Sequence, residues 1–237
     1  MRGFWLYVRL GRWLVGNLSL LSSLTRNKDT QSPEEYMATY KEVGRQFSVS
    51  MVEYTGSTVN VEGIDNIPEG AVLFVSNHPS LFDIAMFLGY IPRPAGFIAK
   101  AEISKIPILK RWMLEYNCIF LDRSNLRQSA KAINEGIAKL KSGISMIIFP
   151  EGTRSRGREM LEFKHGSFKL ATKAKVPIVP VTMDGTHEIF ETGDGKIHAA
   201  NIKVTIHEPI ETRDLTSEEL TELPDKVWNI VASKLGQ

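Results

Sequence analysis

The sequence predicts an α/β fold, a largely parallel sheet with helices on its faces, and three observations lead to it. From residue 58 onward, short apolar β-branched runs alternate with longer stretches of helical periodicity, which implies strands joined by right-handed helical crossovers. Polar chemistry recurs where the strand-like runs end, at Asn77-His78, Lys100, Arg123 and Glu151 to Arg154. The chain, 237 residues with 43% hydrophobic and 24% charged side chains, is long enough for one such domain plus an appendage.

The appendage is residues 1–55, expected as two amphipathic helices forming a membrane-seating hairpin ahead of an α/β domain over residues 56–237. Residues 4–24 are the most hydrophobic long stretch, yet Arg9, Arg12 and Asn17 interrupt it. A spanning helix needs about 20 mostly apolar residues, so this one is a poor candidate. It also lacks a clear small-residue cleavage site, which argues against a cleaved signal peptide. Arg9, Arg12, Gly16, Ser19, Ser23 and Arg26 recur along one helical face. Trp5, Leu6, Val8, Leu10, Trp13, Leu14, Leu18, Leu21 and Leu24 cover a wide apolar surface. That pattern suits a helix lying in a membrane interface, and also one packed on the core. Ser32-Pro33-Glu34-Glu35 marks the next helix start, with Tyr36, Tyr40, Val43, Phe47 and Met51 following at helical spacing.

In the body, strands are expected over residues 58–64, 71–75, 95–99, 118–121, 144–149, 176–183 and 202–206. Helices are expected over 81–90, over 102–116 with an interruption near Pro107, over 126–141 closed by Gly143, and over 168–175 and 216–235. The single Cys118 excludes an internal disulfide and, in an apolar run, reads as packed. A net charge of +2 is too small to imply a nucleic-acid binder, so any basic function must come from local clustering.

The chemistry centres on Ser76-Asn77-His78-Pro79-Ser80-Leu81-Phe82-Asp83. In one helix, residues five apart point about 140° away from each other, so His78 and Asp83 can meet only if His78 precedes the helix and folds back. Pro79 disfavours helical geometry at His78. Ser80 is the expected N-cap, with Asp83 completing a capping-box-like pattern at the positive end of the helix dipole, which favours its ionised form. A carboxylate against one imidazole nitrogen fixes the tautomer and leaves the other nitrogen free as a base. No G-x-S-x-G elbow occurs, so the nucleophile is expected to be a hydroxyl of the substrate. Taken alone, the same residues also fit a plain turn and a helix cap.

The other strand ends supply cations. Arg123 and Arg154 can each bind a phosphate bidentately, with Lys100 or Lys105 as a further point charge, and Arg156, Arg158 and Lys164 extend the positive patch. Singly, each is an ordinary surface charge. Their shared place at one sheet edge, where open α/β sheets gather ligands, is what points to a pocket. His165, His187, His198 and His207 form no ligand pattern such as H-E-x-x-H, and no metal is expected.

Asn77-His78-Pro79-Ser80-Leu81-Phe82-Asp83 resembles the N-H-x-S-x-x-D motif of the glycerolipid acyltransferases. Ile119-Phe120-Leu121-Asp122-Arg123 resembles their second block, Phe149-Pro150-Glu151-Gly152-Thr153-Arg154-Ser155 the third, and Val176-Pro177-Ile178-Val179-Pro180-Val181 the fourth. All four stand in the family's order, and the chain is most similar to its bacterial 1-acylglycerol-3-phosphate acyltransferases. The resemblance implies transfer of a fatty acyl group from an acyl thioester to the sn-2 hydroxyl of lysophosphatidic acid, without an acyl-enzyme, at the cytoplasmic face of a membrane. It implies His78 as general base oriented by Asp83, and Arg123 and Arg154 on the phosphate. Glu151 would orient a basic residue or the glycerol hydroxyl, and Gly152 would let the backbone approach the ligand. Asn77, Thr153, Lys100 and Lys105 complete the expected substrate site. The implied partners are the bilayer surface, lysophosphatidic acid and a thioester of acyl carrier protein or coenzyme A, with no cofactor and no nucleic acid. Residues 186–237 receive no functional assignment. A membrane-surface module that binds anionic lipids without catalysis would use the same hairpin and basic patch, but would not need His78 paired with Asp83.

Overall fold

The structure, a computed structural model, describes residues 2–27, 30, 32–122 and 124–236. Seven strands, β1 (Thr58–Glu62), β2 (Leu73–Ser76), β3 (Ala95–Lys100), β4 (Ile119–Leu121), β5 (Ser145–Ile148), β6 (Ile178–Asp184) and β7 (Asn201–Ile206), form one sheet in the order β1-β7-β6-β2-β5-β3-β4. Strands β2 to β6 are mutually parallel. β7 runs antiparallel to β6 and carries β1 parallel to itself, so these two strands point the other way.

Helices cover both faces, which is why β2, β5 and β6 are buried along their whole length. Alternate strand residues serve alternate layers, as the two-residue period of a strand requires. Phe74, Ile147, Val179 and Val181 face one layer with Met86 and Phe87 of α4 (Asp83–Tyr90) and Met51 and Val52 of α3 (Pro33–Thr55). Leu73, Val75, Met146, Ile148 and Ile178 face the other. There they meet α6 (Leu126–Lys141), α7 (Lys169–Ala174) and α8 (Ser217–Ala232) through Leu140, Leu170 and Val227. Each such fully buried side chain stabilises by about 1.5–3 kcal/mol. α5 (Pro107–Glu115) follows a 3-10 turn over Ala101–Lys105, which accounts for the interruption expected at Pro107.

The N-terminal segment departs from two plain helices. Its first helix is divided at Asn17 into α1 (Arg2–Gly16) and α2 (Leu18–Asn27). The Asn17 amide donates to the Trp13 carbonyl at 2.8 Å, a side-chain bond of the kind that competes with the helical ladder. α3 starts as expected, with a reciprocal capping box between Ser32 and Glu35. The wide apolar surface divides its labour: Leu14, Leu21 and Leu24 are buried against Tyr36, Tyr40, Val43 and Trp112. Leu6 joins Met51, Val52 and Phe74 in the core of the sheet. Left outside are Phe4, Trp5, Tyr7 and Val15, all at least half exposed. Glu115 ties the helices together, accepting from the hydroxyls of Tyr36 and of Thr25. No helix among the described residues is long and apolar enough to cross a membrane.

Candidate active site

Three neighbouring strands, β6, β2 and β5, bring their carboxyl ends to one place. Beyond β2, the buried Asn77 donates from Nδ2 to the Met183 carbonyl (2.9 Å) and accepts at Oδ1 from the Met183 N–H (2.8 Å). It bridges β2 to β6 in the manner of another strand residue. Both polar atoms of its amide are thus engaged by the sheet.

His78 comes next and is held at every part. Its backbone N–H donates to Glu151 Oε1 at 2.8 Å, and its carbonyl accepts from Ser155 N–H at 2.9 Å. Its ring stacks on Phe149 with centroids 4.0 Å apart and planes 14° apart. Nδ1 lies 2.7 Å from Asp83 Oδ2. The same Oδ2 accepts from Ser80 N–H (2.9 Å), and Oδ1 accepts from the Thr186 hydroxyl (2.6 Å). A carboxylate surrounded by donors requires the hydrogen to sit on Nδ1, so Nε2 carries the lone pair. Asp83 is fully buried while the His78 side chain is 16% exposed, so an incoming group meets the imidazole and not the acid.

The expected capping role of Ser80 is only half realised. α4 begins at Asp83, with Phe82 at the N-cap and no side-chain cap bond. The Ser80 hydroxyl accepts from Phe82 N–H (3.1 Å) and donates to Glu191 Oε2 (2.7 Å). Glu191, rather than the helix end, draws it away.

Glu151 braces two backbone segments. Its second oxygen accepts from Leu161 N–H at 3.2 Å, so each carboxylate oxygen holds a backbone N–H. Burial pushes its carboxyl above the usual range, against the pull of the two N–H groups and of His78. The folded state thus holds that proton more tightly than the unfolded chain. Its favourable contribution is greatest in acid, below the unfolded carboxyl near about 4.3, and is lost as pH climbs towards the raised folded value. The melting temperature of wild type minus that of Glu151→Gln should therefore fall across that interval and then level off. A difference that grows with pH would contradict the assignment.

Among the basic residues, Arg154 reaches the site. Its Nη1 lies 3.0 Å from Glu191 Oε1, with the Arg154 side chain 33% exposed and that of Glu191 4% exposed. Gly152 turns the chain at φ 80°, and Thr153 is exposed beside it. Lys100 is instead paired with Glu102 at 3.1 Å on an open surface, a contact worth little, and Lys105 is exposed. Lys100 ends β3 and Lys105 follows it, two strands from β2. Arg158 faces Asp184 (3.6 Å) and Glu188 (3.8 Å), so local acids offset the patch it was expected to extend. Arg123 lies outside the described residues.

Thr186, Glu191 and the stacking role of Phe149 were not assigned from sequence, and the blank over residues 186–237 is corrected by the first two. The end of β6 at Asp184 marks their neighbourhood at this edge, but nothing local names their distant partners Asp83 and Ser80.

A sheltered imidazole 2.7 Å from a buried acid, at the carboxyl edge of a parallel sheet, is an arrangement suited to an α/β enzyme. The chain belongs to the acyltransferase family, whose profile matches residues 58–184. It is 37% identical over 155 residues to the chloroplastic 1-acyl-sn-glycerol-3-phosphate acyltransferase LPAT1 of Arabidopsis thaliana, covering 64% of this chain and 43% of that protein. A probable 1-acyl-sn-glycerol-3-phosphate acyltransferase of Mycoplasma pneumoniae is 30% identical over 234 residues, 93% of this chain and 88% of that one. The crystal structure of the 1-acyl-sn-glycerophosphate (LPA) acyltransferase PlsC from Thermotoga maritima matches with a TM-score of 0.84 and 31% identity, over 98% of this chain and 92% of that chain. The chain thus spans under half the length of the plant relative and most of the two bacterial ones.

Proposed function

We propose that this enzyme moves a fatty acyl group from an acyl thioester to the sn-2 hydroxyl of 1-acyl-glycerol-3-phosphate, forming phosphatidic acid. The observation that carries the reading is the His78–Asp83 pair at 2.7 Å, with Nε2 left for the substrate. Nε2 accepts the hydroxyl proton as the substrate oxygen attacks the thioester carbonyl. Asp83 stabilises the imidazolium that forms. The tetrahedral intermediate collapses, the carbon–sulfur bond breaks, and the thiolate leaves with the proton returned from His78. Direct attack is supported by the state of the chain's own nucleophiles. The Ser80 hydroxyl is engaged by Glu191 and Phe82, and the Cys118 thiol is buried and pushed up to about 12. A thioester of acyl carrier protein or of coenzyme A serves equally in this scheme, and no step calls on a cofactor or metal.

In this reading Arg154 holds the phosphate and so places the hydroxyl at Nε2, and Arg123 is proposed as a further phosphate ligand. Arg154→Ala should raise KM for lysophosphatidate about tenfold and that for the acyl donor far less, because a charge-assisted bond to phosphate contributes about 1.5–3 kcal/mol. Equal changes in both constants would remove Arg154 from the phosphate site. The reading as a whole is tested by mass-spectrometric product analysis with purified protein, lysophosphatidate and each thioester. Phosphatidate is the expected product; no phosphatidate here, with acylation of glycerol-3-phosphate when that is supplied instead, would reassign the acceptor.

The seat of the enzyme is proposed to be the cytoplasmic face of a membrane, touched by the exposed Phe4, Trp5, Tyr7 and Val15 of α1. Acyl chains cost about 0.8 kcal/mol per CH₂ to expose to water, and an enzyme resting in the interface avoids that exposure. Removing residues 1–55 is not a clean test, since it would strip Leu6, Met51 and Val52 from the core. Replacing Phe4 and Trp5 together with Asp should lower binding to anionic liposomes at least about tenfold at unchanged melting temperature. Undiminished cosedimentation would place the seat elsewhere.

A further inference from the structure

We infer that the turn following β6, residues 185–191, is a positioning element of this active site, and that Thr186 is the positioning residue for the His78–Asp83 pair. The inference rests on the general-base reading of that pair given above. The turn lies just past residue 184, where the family match ends, yet it touches the His78–Asp83 loop at three points. Thr186 donates to Asp83 Oδ1 at 2.6 Å. Glu191 accepts from the Ser80 hydroxyl at 2.7 Å and from Leu81 N–H at 3.1 Å, while also meeting Arg154 at 3.0 Å.

The division of labour on Asp83 is what singles out Thr186. His78 Nδ1 and Ser80 N–H both bond to Oδ2, and among the described residues Thr186 alone bonds to Oδ1. A carboxylate held at one oxygen can still swing about its Cβ–Cγ bond. A second attachment at the other oxygen stops that swing, and so fixes the direction of the Nδ1–H bond and the aim of Nε2. Thr186 and Asp83 are both fully buried, so solvent does not reach in to replace the hydroxyl. The geometry also explains why the turn sits where it does. Gly185 adopts φ 85°, and a Cβ there would lie 2.4 Å from the Asn201 carbonyl oxygen. The chain can hug the start of β7 only without a side chain, and that close approach brings Thr186 to Asp83.

The test compares full-length Thr186→Val, which keeps shape and loses the hydroxyl, with Thr186→Ser, which keeps the hydroxyl. Thr186→Val should lower kcat between about tenfold and a hundredfold, with KM for lysophosphatidate within about twofold of wild type. Thr186→Ser should recover most of the rate. In the substrate-free protein, ¹⁵N NMR of labelled histidine should show the fixed Nδ1–H tautomer of His78 in wild type and Thr186→Ser, and an average of both tautomers in Thr186→Val. Should Thr186→Val not fold, Thr186→Ala is read the same way. Unchanged kcat and an unchanged His78 tautomer would overturn the inference, as would a Thr186→Ser variant no better than Thr186→Val. If wild type failed to acylate lysophosphatidate, the proposed function would fall while the tautomer comparison still decided the role of Thr186.

Discussion

His78→Ala is expected to reduce turnover by at least about 10³-fold while barely moving the melting temperature. The expectation of an intact fold comes from how the residue is held. Its backbone N–H and carbonyl are bound by Glu151 and Ser155, and neither bond needs the imidazole. Asp83 keeps Thr186 and Ser80 as partners when the ring is gone. What disappears is Nε2, the hydrogen-bond acceptor on the side of the ring away from Asp83. Steady-state rates with lysophosphatidate and a thioester donor, paired with a thermal melt, decide the matter. More than a few per cent residual activity in the purified variant would rule out a base at this position.

Gly185→Ala should be the most damaging small substitution at this edge. Two costs add. A non-glycine residue at φ 85° is strained by about 1–3 kcal/mol, and the new Cβ would press on the Asn201 carbonyl 2.4 Å away, a backbone atom that cannot swing aside. The start of β7 or the 185–191 turn must then move. A loss of roughly 5–10 °C in Tm is expected, since about 1 kcal/mol shifts a domain of this size by about 2–4 °C. Turnover should fall as well, because Thr186 and Glu191 move with the turn. Gly143→Ala provides the comparison: φ is 94° there too, but nothing lies within 4 Å of the added Cβ. Calorimetry showing equal losses for the two variants would mean that strain alone acts and that the close approach at Asn201 is unimportant.

What could be read from the sequence was what local physics decides. α6 begins and ends where its periodicity and Gly143 place it, with Asn125 capping it by accepting from Gln128 N–H. The Ser32–Glu35 box announces α3, and the strand ends carrying His78, Lys100, Glu151 and Arg154 fall where their apolar runs stop. The folding back of His78 onto Asp83 was also legible, because five residues and a proline leave that pair few other ways to meet. Illegible were the decisions made by partners far along the chain. Thr186 finds Asp83 across 103 residues, and Glu191 finds Ser80 across 111. No period or motif connects those positions. The same cause hid the partners of Asn77 and Glu151, whose side chains meet backbone groups of β6, and of His78 and Leu161, respectively. The N-terminal apolar surface was visible, but which of its leucines would face protein depended on where α3 and α5 came to lie.

The reversed direction of β7 and β1 has an architectural outcome. Because β7 runs against β6, it exits at the rim where the parallel strands begin, as the Ile178–Ile210 bridge there shows. The connection from β7 to α8 therefore hangs on the far side of the molecule from the imidazole. Its exposed Arg213-Asp214 step is a natural insertion point for a fused tag or fluorophore, whereas an addition within the 185–191 turn would displace Thr186 and Glu191.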